Sequence, residues 1–207
     1  MTLVSSEFPI YLTIGARHIL ELPLGTDHIL FVAALTAVHR ASEWRRVVWL
    51  VTAFTLGHSL TLALATLNVV HVPTALVEFL IALTIFATSV LNILNRRMTE
   101  DADAAGVAAS ARRLWPKYAM ACGFGLIHGL GFSNALRGML GAEESIAVPL
   151  FAFNVGLEMG QLVIVTAGIL LATVAVRVAK LPWREWVLVL SGATGGIAVT
   201  MMFERLP

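Results

Sequence analysis

Charge is what this chain has least of. Of its 207 residues only 13% are charged, against 58% hydrophobic, and the mean hydropathy is +0.84. A soluble domain carries about 25% charged residues, so a soluble globular fold is excluded and a polytopic membrane protein is expected. Cysteine is nearly absent: Cys122 alone rules out an internal disulfide and a cysteine-rich metal cage. The net charge is +1, and no basic patch with interleaved aromatics occurs, so a nucleic-acid partner is not expected. From Met1 to Phe8 there is no basic region followed by an apolar run and a small-residue cleavage site, so no signal peptide is read there. No internal repeat is visible.

What is present is a series of long apolar runs. A helical span needs about 20 such residues. Segments near 46–68, 72–94, 115–140, 146–177 and 183–203 qualify. A shorter one, 25–38, follows an apolar stretch from Phe8 to Leu20 that is interrupted near Pro23 and Gly25. The reading is an all-α bundle of about six spans forming a single membrane domain over 1–207, with 8–20 as an interfacial or re-entrant helix and 25–38 as the first span. Barrel strands would alternate in polarity, and these segments do not.

Of the 14 Lys and Arg residues, all but Arg17, Arg137 and Arg205 fall in three connections, after spans one, three and five. These connections share one side, which the positive-inside rule makes cytoplasmic. Both termini are then expected outside a bacterial-type inner membrane. The polar connection 95–114 is expected to be a flexible cytoplasmic loop. Small residues four apart, Gly125 with Gly129, Gly156 with Gly160 and Gly192 with Gly196, are expected to allow close helix packing.

Ionisable residues inside apolar segments stand out. One near the bilayer centre costs roughly 2.5–3.5 kcal/mol even on the mildest scale. Asp27, His28, His58, Glu78, His128 and Glu158 are such residues, and all fall in the outer half of their spans or near the midplane. Three imidazoles and three carboxylates in one depth band suggest a divalent-metal site. Thr55, His58 and Ser59 share a helix face, as do Asn154, Glu158 and Gln161. Asp27 and His28 are adjacent and point in different directions, so one of them is expected to face the site, and Asp27 serves equally well as a helix N-cap. Glu78 is shallow enough to reach the interface. Ser59 and Ser133 suit bonds to helix backbone, His18 an interface position, and His39 and His71 solvated connections.

Imidazole with carboxylate favours nickel, cobalt, zinc or iron. Copper(I) would need thiolate or thioether, and magnesium and calcium an oxygen shell. Three carboxylates against one divalent ion leave excess negative charge, which makes proton-coupled movement a natural mechanism.

Five blocks in order carry a resemblance: Gly25-Thr26-Asp27-His28-Ile29-Leu30-Phe31, Phe54 to Leu62, Val77-Glu78 leading to Thr84 and Asn92, Gly123 to Phe132, and Phe153 to Gln161. Together they resemble the second branch of the HupE/UreJ family over about residues 10–200. The resemblance implies a small nickel or cobalt permease associated with hydrogenase and urease maturation. In the family pattern a histidine precedes Asp-His by five residues. Here eight separate His18 from Asp27, which would turn His18 almost one helical turn away and leaves it outside the expected ligand set. Founding members also carry a second paired-histidine segment, where this chain offers His128, Asn154 and Glu158.

The expected metal ligands are therefore His28, His58, His128 and Glu158. Asp27 and Glu78 would attract the ion or relay protons, with Asn154, Gln161 and Ser59 supporting. The expected partners are the metal ion and the lipid bilayer, with a homo-oligomer or metalloenzyme-maturation proteins as further ones. The alternative is an intramembrane zinc hydrolase acting on a lipid or peptide-like substrate, in which three histidines leave one position for water.

Overall fold

The computed structural model describes residues 4–94, 107–140 and 146–207, with side chains described over 7–94, 115–139 and 146–207. The described residues form helices joined by short turns, with no strand: α1 (Val4–Leu20), α2 (Thr26–Thr36), α3 (Trp44–Thr66), α4 (Thr74–Leu94), α5 (Val107–Gly131), α6 (Ser133–Leu140), α7 (Ala147–Arg177) and α8 (Trp183–Glu204). In hydrocarbon every backbone N–H and C=O must be satisfied within its own segment, and apolar runs of this length meet that demand as helices. The loop expected at 95–114 lies outside the described residues up to 106, and from Val107 the chain is already helical.

Helices α3, α4, α7 and α8 are each long and apolar enough to cross a membrane, and the pair α5–α6, bent by 49°, makes a fifth crossing if counted as one. The remaining segment, α1 and α2, gains its packing partner from the structure. α1, expected as an interfacial or re-entrant helix, packs along its length on another helix. It runs parallel to α7: the backbone of Gly15 meets Phe153 and Leu157, and Gly156 meets Leu12 and Ala16. Further along α7, Ile19 lies against Gly160 and Thr36 against Gly168. α1 and α2 thus follow one another down α7 as two pieces of one path, interrupted at residues 21–25. At 11 residues, or about 16 Å, α2 alone is too short to cross. Asn92 near the end of α4 donates to the Ala34 carbonyl (2.7 Å), which ties the far end of α2 in place.

α3 and α5 are also parallel, and their backbones nearly touch. Gly57 sits against the Cys122 carbonyl and Gly125 against the Phe54 carbonyl. α4 and α8 pack antiparallel, with Ser89 bonded to Thr194 (2.8 Å) and Asn92 to Ser191 (3.3 Å). The pair Gly192 and Gly196 does not serve packing as expected, since a Cβ at either would meet nothing within 4 Å.

The bundle has a basic end, carrying Arg40, Arg45, Arg46, Arg177, Lys180 and Arg184, and a far end where α3 and α8 finish and α4 and α7 begin. His39, at the basic end, is not solvated as expected. It is buried, its Nδ1 is 3.0 Å from the Leu35 carbonyl, and burial, reinforced by the nearby Lys117 charge, pushes its imidazole down to about 4.

Candidate metal centre

Three histidines from three helices meet where the α1–α2 path breaks. The rings of His18 (α1) and His28 (α2) have centroids 4.8 Å apart, His28 and His58 (α3) 5.7 Å, and His18 and His58 6.3 Å. One nitrogen from each lies within 4.8 Å of the others. An ion 2.0–2.1 Å from each nitrogen would separate them by about 3.4 Å, so closing on a metal requires an approach of at most about 1.4 Å.

All six ring nitrogens of this trio are buried without a hydrogen-bond partner. Leaving one buried polar atom unpaired costs about 1–3 kcal/mol. Three neighbouring imidazoles, each held by a different helix, are a group that could hold a metal ion. A core histidine serving packing alone would find an acceptor, as His39 does.

The surroundings are aromatic. Phe132 stacks on His18 (4.0 Å), Phe54 meets His28 edge-on (6.1 Å), and Phe153 lies parallel to His58 (6.5 Å). His58 stands eight residues before the end of α3, roughly 12 Å below the far end at 1.5 Å per residue. The site is therefore well inside the bundle, in a medium that strengthens ligand–ion attraction.

The other expected residues take different places. His128 abuts His28 (5.2 Å), but its Nε2 bonds the Thr84 hydroxyl (2.9 Å), which leaves Nδ1 as its one unpartnered nitrogen. It flanks the trio with one ligand position fixed by a threonine. Glu158 does not join the cluster: its Oε1 accepts from Thr52 (2.6 Å), nearly two helical turns along α3 from His58. Asp27 neither caps α2, whose N-cap is Gly25 without a side-chain bond, nor faces the trio. It receives Nη1 of Arg205 on both oxygens (3.0 and 3.2 Å), so Arg205 neutralises it. Of the adjacent pair, His28 is the residue that faces the site. Glu78 is exposed early in α4. Asn154 donates to the Leu150 carbonyl and Ser59 to the Thr55 carbonyl, both within their own helices.

Gln161 is fully buried and its Oε1 faces the Thr55 hydroxyl (2.8 Å). That hydroxyl also lies 3.1 Å from the Val51 carbonyl. One hydroxyl proton is then shared between two acceptors. The Thr55 hydroxyl thereby holds Oε1 about one turn below His58, and the Gln161 Nε2 is buried without a partner.

His18 is the member of the cluster that spacing arithmetic placed outside the expected set. The arithmetic assumes one continuous helix from His18 to Asp27, whereas residues 21–25 form a break that absorbs the extra length. The signal available was Pro23 and Gly25 between two apolar runs, which marks an interruption, together with a histidine at the last turn before it.

The family model described as HupE / UreJ protein matches residues 2–205. The chain belongs to the HupE/UreJ family. No curated protein and no solved structure matches it. Within the HupE/UreJ chain, the resembling blocks map onto the site from several sides: His28 and His58 within the trio, His128 beside it, and Phe132 and Phe153 as its aromatic walls.

Proposed function

We propose that this HupE/UreJ protein is a permease for a divalent transition metal, nickel or cobalt, in a bacterial-type inner membrane with both termini outside. The observation that carries this reading is the trio His18, His28 and His58, with six buried ring nitrogens that have no partner. Neutral imidazole selects nickel, cobalt or zinc over magnesium and calcium, and the family resemblance favours the first two.

The placement of the trio supports movement rather than storage. It sits at a break in the α1–α2 path, and discontinuous helices at mid-depth are where many transporters hold their cargo. The ion would enter from the far end, exchange water for imidazole, and find oxygen acceptors further down: Gln161 beside Thr55, then Glu158 beside Thr52. Imidazole brings no charge, so the cation reaches its first compensating carboxylate at Glu158, and that carboxylate is suited to take a proton when the ion leaves. Because imidazole must be neutral to bind, affinity should fall as pH falls. Three imidazoles with a metal-bound water would also suit hydrolysis, but the sequence carries no nucleophile motif or zinc-protease signature. The hydrolase alternative therefore ranks second.

Uptake of radiolabelled nickel into vesicles tests this. His28→Ala should reduce uptake by about 100-fold or more, since losing a ligand costs at least as much as losing a residue that orients one. Glu158→Gln should slow uptake while leaving equilibrium nickel binding within about twofold of wild type, because Glu158 lies below the trio rather than in it. Uptake unchanged in His28→Ala would refute the reading.

A further inference from the structure

At the far end the last residues of the chain meet the start of α2. Nη1 of Arg205, just past α8, lies 3.0 and 3.2 Å from the two carboxylate oxygens of Asp27. The pair is half-buried. Among the described residues the other two ion pairs, Arg17–Glu21 and Arg46–Glu43, join residues four and three apart. Asp27–Arg205 spans 178 positions and ties one helix to another.

What the pair holds is the first turn of α2, directly after the break at residues 21–25. Gly25, the N-cap, supplies no side-chain bond to that turn, and the Thr26 hydroxyl donates back to the Pro23 carbonyl inside the break (2.7 Å). His28 follows Asp27 directly. Successive side chains diverge by about 100° around a helix, so a carboxylate drawn toward the end of α8 turns the next residue toward His18 and His58. Neither ring nitrogen of His28 has a hydrogen-bond partner. Its direction is therefore set by the backbone that carries it and by ring packing, not by a bond to the imidazole.

We propose that Arg205 is a positioning residue for the histidine trio: through Asp27 it fixes the first turn of α2 and so the angle at which His28 faces His18 and His58. This rests on the reading of the trio as the metal centre. Charge alone makes the opposite demand on Arg205. A guanidinium near the site repels a divalent cation, and removing it bares a carboxylate that attracts one. Electrostatics therefore has Arg205→Gln bind the ion more tightly, and positioning has it bind more weakly.

The test is titration calorimetry with nickel chloride on the full-length protein in lipid nanodiscs. Arg205→Gln should weaken binding at least about tenfold, the loss expected when a residue that orients a metal ligand is removed. The double variant Asp27→Ala/Arg205→Gln keeps the net charge and leaves no bare carboxylate, so it reads the same effect even where Arg205→Gln misfolds, and it should be weakened by a similar factor. One nitrogen makes both contacts, so an ammonium can replace it, and Arg205→Lys should bind within about threefold of wild type. Nickel bound as tightly as wild type, or more so, by Arg205→Gln or by the double variant overturns the proposal while the trio still binds metal. A loss that Arg205→Lys shares in full also overturns it. No nickel bound by wild type overturns the reading of the trio and this proposal with it.

Discussion

Replacing His58 with leucine is expected to abolish metal binding and to make the metal-free protein more stable. His58 is fully buried on α3, and neither ring nitrogen has a partner. Each such atom costs about 1–3 kcal/mol. Leucine has a similar volume, no polar atoms and good company: Phe54 and Phe153 both lie within 6.5 Å of the ring it replaces. Unfolding followed by circular dichroism in detergent, without metal, should show a gain of about 1–3 kcal/mol. Nickel affinity measured by calorimetry should fall by at least about 100-fold. The two results in opposite directions separate a ligand from a structural histidine. A histidine that merely tied helices together would lose stability on substitution and leave ion affinity alone.

The second large effect is expected at Gly125. An added Cβ would press on the Phe54 carbonyl oxygen, with the carbonyl carbon 2.9 Å and the His58 nitrogen 3.0 Å away. These are backbone atoms of α3 and cannot swing aside, so the helices must separate. Overpacking of this kind costs about 1–3 kcal/mol, and more where nothing relaxes. Gly125→Ala should therefore destabilise by about 3 kcal/mol and also weaken nickel binding, because α3 carries His58 on the displaced segment. Gly123→Ala is the matched control. A Cβ there meets nothing within 4 Å, and alanine is the better helix former, so stability should hold or rise slightly. Equal effects at the two positions would mean that close approach of α3 and α5 does not hold this half of the bundle.

How much of this was legible in the sequence follows from what each inference required. Hydropathy needs only the length of an apolar run, so α3, α4, α7 and α8 emerged close to their observed bounds. Depth needs only distance from a helix end, and the inference that His28, His58 and His128 share a band agrees with their ring contacts. Facing direction needs a continuous helix, and there the inference failed for His18. The break at 21–25 resets the helical phase, and no count across it gives the angle. Partners distant in sequence were also out of reach. Arg205, the last basic residue of the chain, claims Asp27 from 178 positions away. Thr52 claims Glu158 across 106 positions. Which group bonds a carboxylate inside a membrane is therefore not readable from its own segment. The phenylalanine walls were present in the Gly123–Phe132 and Phe153–Gln161 blocks, but aromatic residues are so common in apolar spans that their role appears only beside the imidazoles.

The central claim is that three imidazoles from separate pieces of the chain hold one ion. X-ray absorption at the nickel edge of the loaded protein in nanodiscs addresses it directly. The expected first coordination shell contains three imidazole nitrogens at about 2.1 Å, falling to two in His18→Ala, the ligand supplied by the far side of the helix break. A shell of oxygen atoms alone, or one unchanged by His18→Ala, would contradict it.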